Sequence, residues 1–103
     1  MYLVRWYGFG GECLKFGITN REVIERVKEQ YSKSDLDYEI LSFYYFQDGV
    51  LAEKLENIIK ENFETSLCSK TFMRNGHTET TSINNYELIS FLCEEFSTKH
   101  NKA

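Results

Sequence analysis

A chain of 103 residues with 42% hydrophobic and 16% aromatic side chains is sized for one domain with a packed core, not for a disordered segment. No apolar run reaches the roughly 18 residues that span a bilayer, and Met1 leads straight into strand-like sequence instead of a signal segment, so neither a membrane nor a secreted location is expected. A formal net charge of −4 argues against broad nucleic-acid binding, whose affinity rests on phosphate neutralisation, but leaves room for a local basic face.

The first third of the chain carries such a face in Lys15, Arg21, Arg26, Lys28 and Lys33, whereas Glu53, Glu56, Glu61 and Glu64 gather later. Residues 2–7 (YLVRWY) are rich in strand formers, Gly8, Gly10 and Gly11 predict a flexible connection of about five residues, and residues 13–18 read as the returning strand of a hairpin. Thr19 or Asn20 suits a helix N-cap, with Glu22 in the first turn, and the helix is expected to run to about Lys33. Its apolar stripe is Val23, Ile24, Val27 and Tyr31, flanked by Arg26 and Gln30 one turn apart.

Residues 38–46 (YEILSFYYF) are apolar on both alternating faces, which predicts a strand covered on both sides at the centre of the sheet. Asp48 is expected to cap a helix over about 50–63, with Leu51, Ala52, Leu55, Ile58, Ile59 and Phe63 inward. Glu56 falls in line with Ala52, Ile59 and Phe63, so its carboxylate is expected at the core edge and not in open water. Residues 65–70 form a polar connection, and Asn75-Gly76 marks a turn between extended pieces. Asn84 or Asn85 opens a last helix to about Ser97, with Leu88, Ile89, Leu92, Cys93 and Phe96 as its buried stripe. Residues 98–103 are expected as a frayed polar tail on a domain of residues 1–97.

The order is ββαβα, an irregular stretch, then α. It implies an α+β fold with a three-stranded antiparallel or mixed sheet flanked by helices. Three cysteines without C-x-x-C spacing predict neither a disulfide framework nor structural zinc and suit a reducing cytoplasm, with Cys13 and Cys93 as small buried hydrophobes.

Several residues could carry chemistry, and each has a plain structural alternative. Glu56 could hold a metal or simply pair with Lys60 at i,i+4. Arg26 could grip an anion or pair with Glu22 or Glu29. Tyr2 could be a strand aromatic, Lys15 a solvated strand residue, and His77 a solvent-facing turn residue. Gly17 could simply let the strand pass into the helix. Tyr2 and Lys15 share a sheet face only if cross-strand partners have numbers summing to an odd value.

Taken in order, Tyr2-Leu3-Val4, Lys15-Phe16-Gly17, Arg26, Ala52-Glu53-Lys54-Leu55-Glu56 and Gly76-His77-Thr78-Glu79 resemble the motifs of GIY-YIG nucleases in a short phage-type variant. The resemblance spans about residues 2 to 80, with Lys15 where the second motif usually has tyrosine. It implies a metal-dependent DNA endonuclease in which Tyr2, Lys15, Arg26, Gln30, Tyr31 and Glu56 are catalytic and Glu56 binds Mg²⁺ or Mn²⁺. Thr19, Asn20, Arg21 and Glu79 are then the expected substrate contacts. DNA is the expected partner, with a protein partner or a homodimer supplying further affinity. The rival expectation is a nuclease-derived protein whose site has decayed and whose acidic surface binds another protein.

Overall fold

The structure, a computed structural model, describes every residue except 20, 21, 33, 69–72, 74–76, 98 and 103, and for 99–102 the backbone alone. Strands β1 (Tyr2–Gly8) and β2 (Gly11–Gly17) form an antiparallel hairpin. The five-residue connection expected from three glycines is instead a two-residue turn. Phe9 and Gly10 both take positive φ, 53° and 78°, the combination whose twist matches tightly paired strands. Phe9 accepts a left-handed backbone there at a cost of about 1–2 kcal/mol.

Helix α1 (Val23–Tyr31) begins later than the Thr19 or Asn20 cap would place it, after Glu22, whose side chain makes no capping bond. Its inward residues are Val27 and Gln30, while Ile24 and Tyr31 of the expected apolar stripe are exposed. The stripe is rotated because the Gln30 amide finds a partner inside, as shown below. Strand β3 (Asp37–Tyr45) pairs antiparallel with β1, with a shift of register between Leu3 and Val4. Helix α2 (Gly49–Asn62) is capped as expected: the Val50 N–H donates to Asp48 Oδ1 at 2.9 Å.

A 3₁₀ turn (His77–Glu79) leads into β4 (Thr80–Thr81), and a second (Ile83–Asn85) into α3 (Tyr86–Phe96). On α3, Ile89 and Cys93 are buried, but Leu88, expected inward, is 62% exposed. Lys99–Lys102, expected to fray, form β5 against β3. Among the described residues no helix is long and apolar enough to cross a membrane.

The fold is α+β, but the sheet has more than three strands. β4-β2-β1-β3 form a four-stranded antiparallel sheet, with the short β5 on the outer edge of β3. β1, not β3, is central, which explains why Tyr2, Leu3, Val4 and Trp6 are all buried. β4 carries no apolar signature. Its two threonines are held by hydroxyl bonds, from Thr80 Oγ1 to the His77 carbonyl at 2.6 Å and from Thr81 Oγ1 to the Glu64 carbonyl at 2.7 Å.

The sheet divides two cores. On one face Leu3, Leu14 and Phe16 pack with Leu55 and Ile59 of α2 and Ile89 and Cys93 of α3. On the other, Tyr2, Val4, Trp6 and Cys13 pack with Val27 of α1, Leu36 and Met73. The hairpin pairs Tyr2 with Gly17 and Val4 with Lys15. That is the odd-sum register, so Tyr2 and Lys15 share the face covered by α1. Gly17 is needed for a closer reason than chain reversal. A Cβ on it would lie 2.6 Å from Tyr2 Oη and 2.7 Å from Cζ, inside the buried ring.

Replacing Gly17 by alanine therefore forces the Tyr2 ring or β2 to move. The expected loss is about 1–3 kcal/mol in urea unfolding; an unchanged midpoint would show that the ring is free to shift.

Candidate active site

The site begins at the N-terminal end of β1, where Tyr2 lies across Gly17 under α1. Gln30 Nε2 donates to Tyr2 Oη at 3.0 Å. One turn earlier on the same helix lies Arg26, whose charge acts to lower the pKa of the phenol and whose Nη1 pairs with Glu29 Oε1 at 3.0 Å. Burial raises the Tyr2 phenol above its ordinary pKa, against the pull of these two groups. With the Gln30 N–H aimed at its oxygen, the hydroxyl has its own proton left to give to another group. Gln30 is 2% exposed, and its Oε1 is buried without a partner among the described residues. An orphaned acceptor of this kind costs stability.

Lys15 lies diagonally across the hairpin from Tyr2, with Nζ 5.7 Å from the centre of its ring. It is 2% exposed, and its one described hydrogen bond is long, 3.4 Å to the Phe16 carbonyl. The solvated strand lysine that a sequence pattern suggests is thus a buried amine. Burial pulls it down to about 8; the positive charge of Arg26 adds to this, and Glu79 and Glu56 oppose it.

Acidic residues approach from the edge of the sheet. Glu79 precedes β4, whose Thr80 pairs with Lys15. Burial acts to raise the Glu79 carboxyl, but the Thr78 hydroxyl, 2.7 Å from Oε2, and the charges of Lys15 and Lys60 outweigh it and hold it below the usual value. Lys60 Nζ bridges Glu79 Oε1 at 3.4 Å and Glu56 Oε1 at 3.3 Å. Burial opposes the Lys60 charge and the two carboxylates prevail, so its pKa is raised.

Glu56 belongs to α2, whose core residues cover the opposite face of the sheet. Its side chain is only 18% exposed, as the apolar alignment on the helix predicts, and its charge is felt by both Lys15 and the buried N-terminal amine of Met1. The i,i+4 pairing of Glu56 with Lys60 is real, but it is half of a three-membered bridge. Sequence reasoning missed the other half, because nothing in the spacing of residues 60 and 79 signals that they meet.

Other expected site residues lie elsewhere. Tyr31 is 44% exposed, and its ring packs edge-on against Tyr38 at 5.2 Å. Thr19 lines a separate cavity of about 590 Å³ with Met1, Tyr44 and Gln47. Asn20, Arg21 and Gly76 lie outside the described residues. His77 is half-buried in the turn before Glu79. Among the described residues, no group of three or more His, Cys, Asp or Glu is arranged to hold a metal; Glu56 and Glu79 are the carboxylates that share one cation position.

The cluster thus offers a phenol held by the Gln30 amide, a buried amine whose pKa burial pulls down to about 8, a guanidinium, and a carboxylate pair. No family model matches the chain, and no solved structure matches it. It is 33% identical over 87 residues to a protein of Escherichia phage T5 named "Putative endonuclease"; the match covers 84% of this chain and 35% of that protein. The chain therefore spans about a third of the length of the relative it matches.

Proposed function

We propose that the chain is a metal-dependent DNA endonuclease of the GIY-YIG type, phage-encoded and acting in the cytoplasm of a bacterial host. The observation that supports this most is the convergence of Tyr2, Lys15, Gln30, Arg26 and the Glu56–Glu79 pair from five separate elements. The likeness to the phage T5 protein supports a nuclease in particular.

Glu56 and Glu79 aim hard carboxylate oxygens at a position already held by a positive charge, the Lys60 ammonium. Hard oxygens of this kind suit Mg²⁺ or Mn²⁺, which Glu56 and Glu79 would hold in place of the Lys60 ammonium. A divalent ion held there would supply Lewis-acid stabilisation of the phosphate and its leaving oxygen. Arg26 binds the phosphate through the N–H groups that Glu29 does not use. Tyr2, fixed by Gln30, orients the attacking water through its hydroxyl. Lys15, neutral above about pH 8, accepts the proton.

The second reading, a decayed nuclease that binds a partner protein, is favoured by one feature. Arg26 and Lys60 are each neutralised by a carboxylate, in a chain of net charge −4. On either reading the expected protein partner or homodimer would supply contacts the site itself lacks.

Nicking of supercoiled plasmid separates the two. The expected result is Mg²⁺-dependent cutting that falls by about 10²-fold or more in Glu56→Ala and in Arg26→Ala with circular dichroism unchanged. Equal cutting by both variants would place the activity at another site, and no cutting with either metal on several DNA forms would favour the partner-binding reading.

The pH dependence gives an independent check. Cutting is expected to rise through about pH 8 and then level off, and to be slow and flat in Lys15→Met. Stability follows with a worked sign. Between about 8 and the ordinary lysine value of 10.5 the unfolded chain holds a proton that the folded chain has lost. Stability therefore rises with pH across that window, and the burial penalty is fully present below it. In Lys15→Met that rise disappears from chemical unfolding curves.

A further inference from the structure

A second cluster lies on the same face as Lys15 and takes no part in the proposed hydrolysis. Cys13 is on β2, two residues from Lys15, and is 4% exposed. Cys68, distant in sequence, is half-buried and packs against the same apolar cluster as Cys13. Both line one cavity of about 290 Å³ beside the hairpin turn. Phe9 and Leu67, which also line this cavity, are exposed at 75% and 52%, so its mouth is at the surface.

The backbone already holds Cys68 in place. Its N–H donates to Thr80 Oγ1 at 2.9 Å, the Leu67 N–H donates to the Thr80 carbonyl at 3.3 Å, and Thr80 pairs with Lys15. Cys93 lies in the core on the opposite face of the sheet and is shielded from both.

We propose that Cys13 and Cys68 are a redox latch: oxidation by hydrogen peroxide joins them in a reversible disulfide that clamps residues 64–68 onto β2 at the edge of the Lys15 site. In the first step the Cys68 sulfur attacks peroxide, the O–O bond breaks, and Cys68 becomes a sulfenic acid as one water leaves. The Cys13 sulfur then displaces hydroxide from that sulfenic acid; the S–S bond forms and a second water carries away the remaining thiol proton. Two thiols have lost two electrons in total and one peroxide has gained them.

Cys68 is the attacking group because it is the less buried of the two. Burial pushes both thiols up, Cys13 to about 12, so the pair stays reduced in mild conditions and oxidises faster as pH rises. The latch is independent of the reaction proposed for the neighbouring site, and its test does not use nuclease activity.

The full chain is treated with hydrogen peroxide, denatured and alkylated, then analysed by mass spectrometry. The expected product has lost two hydrogens, retains one of its three thiols, yields a Cys13–Cys68 cross-linked peptide, and returns to three thiols with dithiothreitol. Hydrogen exchange at the Leu67 and Cys68 amides is expected to slow on oxidation. Cys68→Ala, a change at a half-buried position, should keep both remaining thiols under the same treatment. Added oxygen on Cys68 without a cross-link, a cross-link to Cys93 or between chains, or equal thiol loss in Cys68→Ala would each overturn the proposal.

Discussion

The Tyr2 ring lying across Gly17 is the contact on which the rest of the site depends. It is possible only because residue 17 has no side chain and because β1 and β2 pair with Tyr2 opposite Gly17. The same pairing sets Lys15 beneath the ring and faces both toward α1. A slip of one residue would send Lys15 into the other core among Phe16 and Leu55 and take it off the face that Tyr2 occupies. The two-residue turn at Phe9–Gly10 holds that register, and the left-handed Phe9 is part of its cost.

This face of the sheet buries polar groups that an ordinary core would exclude. An amine, an amide and a phenol occupy positions where leucine or valine would be more stabilising. They are only partly compensated. Among the described residues Gln30 satisfies Tyr2 but leaves its own carbonyl oxygen orphaned, and Lys15 has a single long bond. Trp6 Nε1, on the same face, and Ser97 Oγ are also buried without a partner among the described residues, so uncompensated burial is not confined to this cluster.

The carboxylates reach this cluster by a different route. α2 is fastened to the opposite core by Leu55 and Ile59, and Glu56 lies on the flank of that apolar stripe. Lys60 then links it to Glu79, which the Thr80–Lys15 pairing brings to the edge of β2. A two-residue strand with no apolar character thus does more to organise the site than its length suggests. It positions Glu79 on one side and, through the bonds of Thr80, Cys68 on the other.

Local chemistry along the chain determined a good deal. Alternating aromatic and aliphatic residues specify the hairpin strands, the Asp48 cap and the apolar spacing specify α2, and the alignment of Glu56 with Ala52 and Ile59 specifies its half-buried carboxylate. The odd-sum condition linking Tyr2 to Lys15 was also legible, because side chains on a strand alternate. Tertiary structure alone decided which register was adopted, the centrality of β1, the rotation of α1 that buries Gln30 and exposes Ile24 and Tyr31, and the existence of β4. It alone brought Lys60 to Glu79 and Cys13 to Cys68. Periodicity reports which side of its own element a residue occupies. It says nothing about which residue of a distant segment arrives there, since that is settled by edge pairing, hydroxyl bonds and close packing between parts that share no pattern.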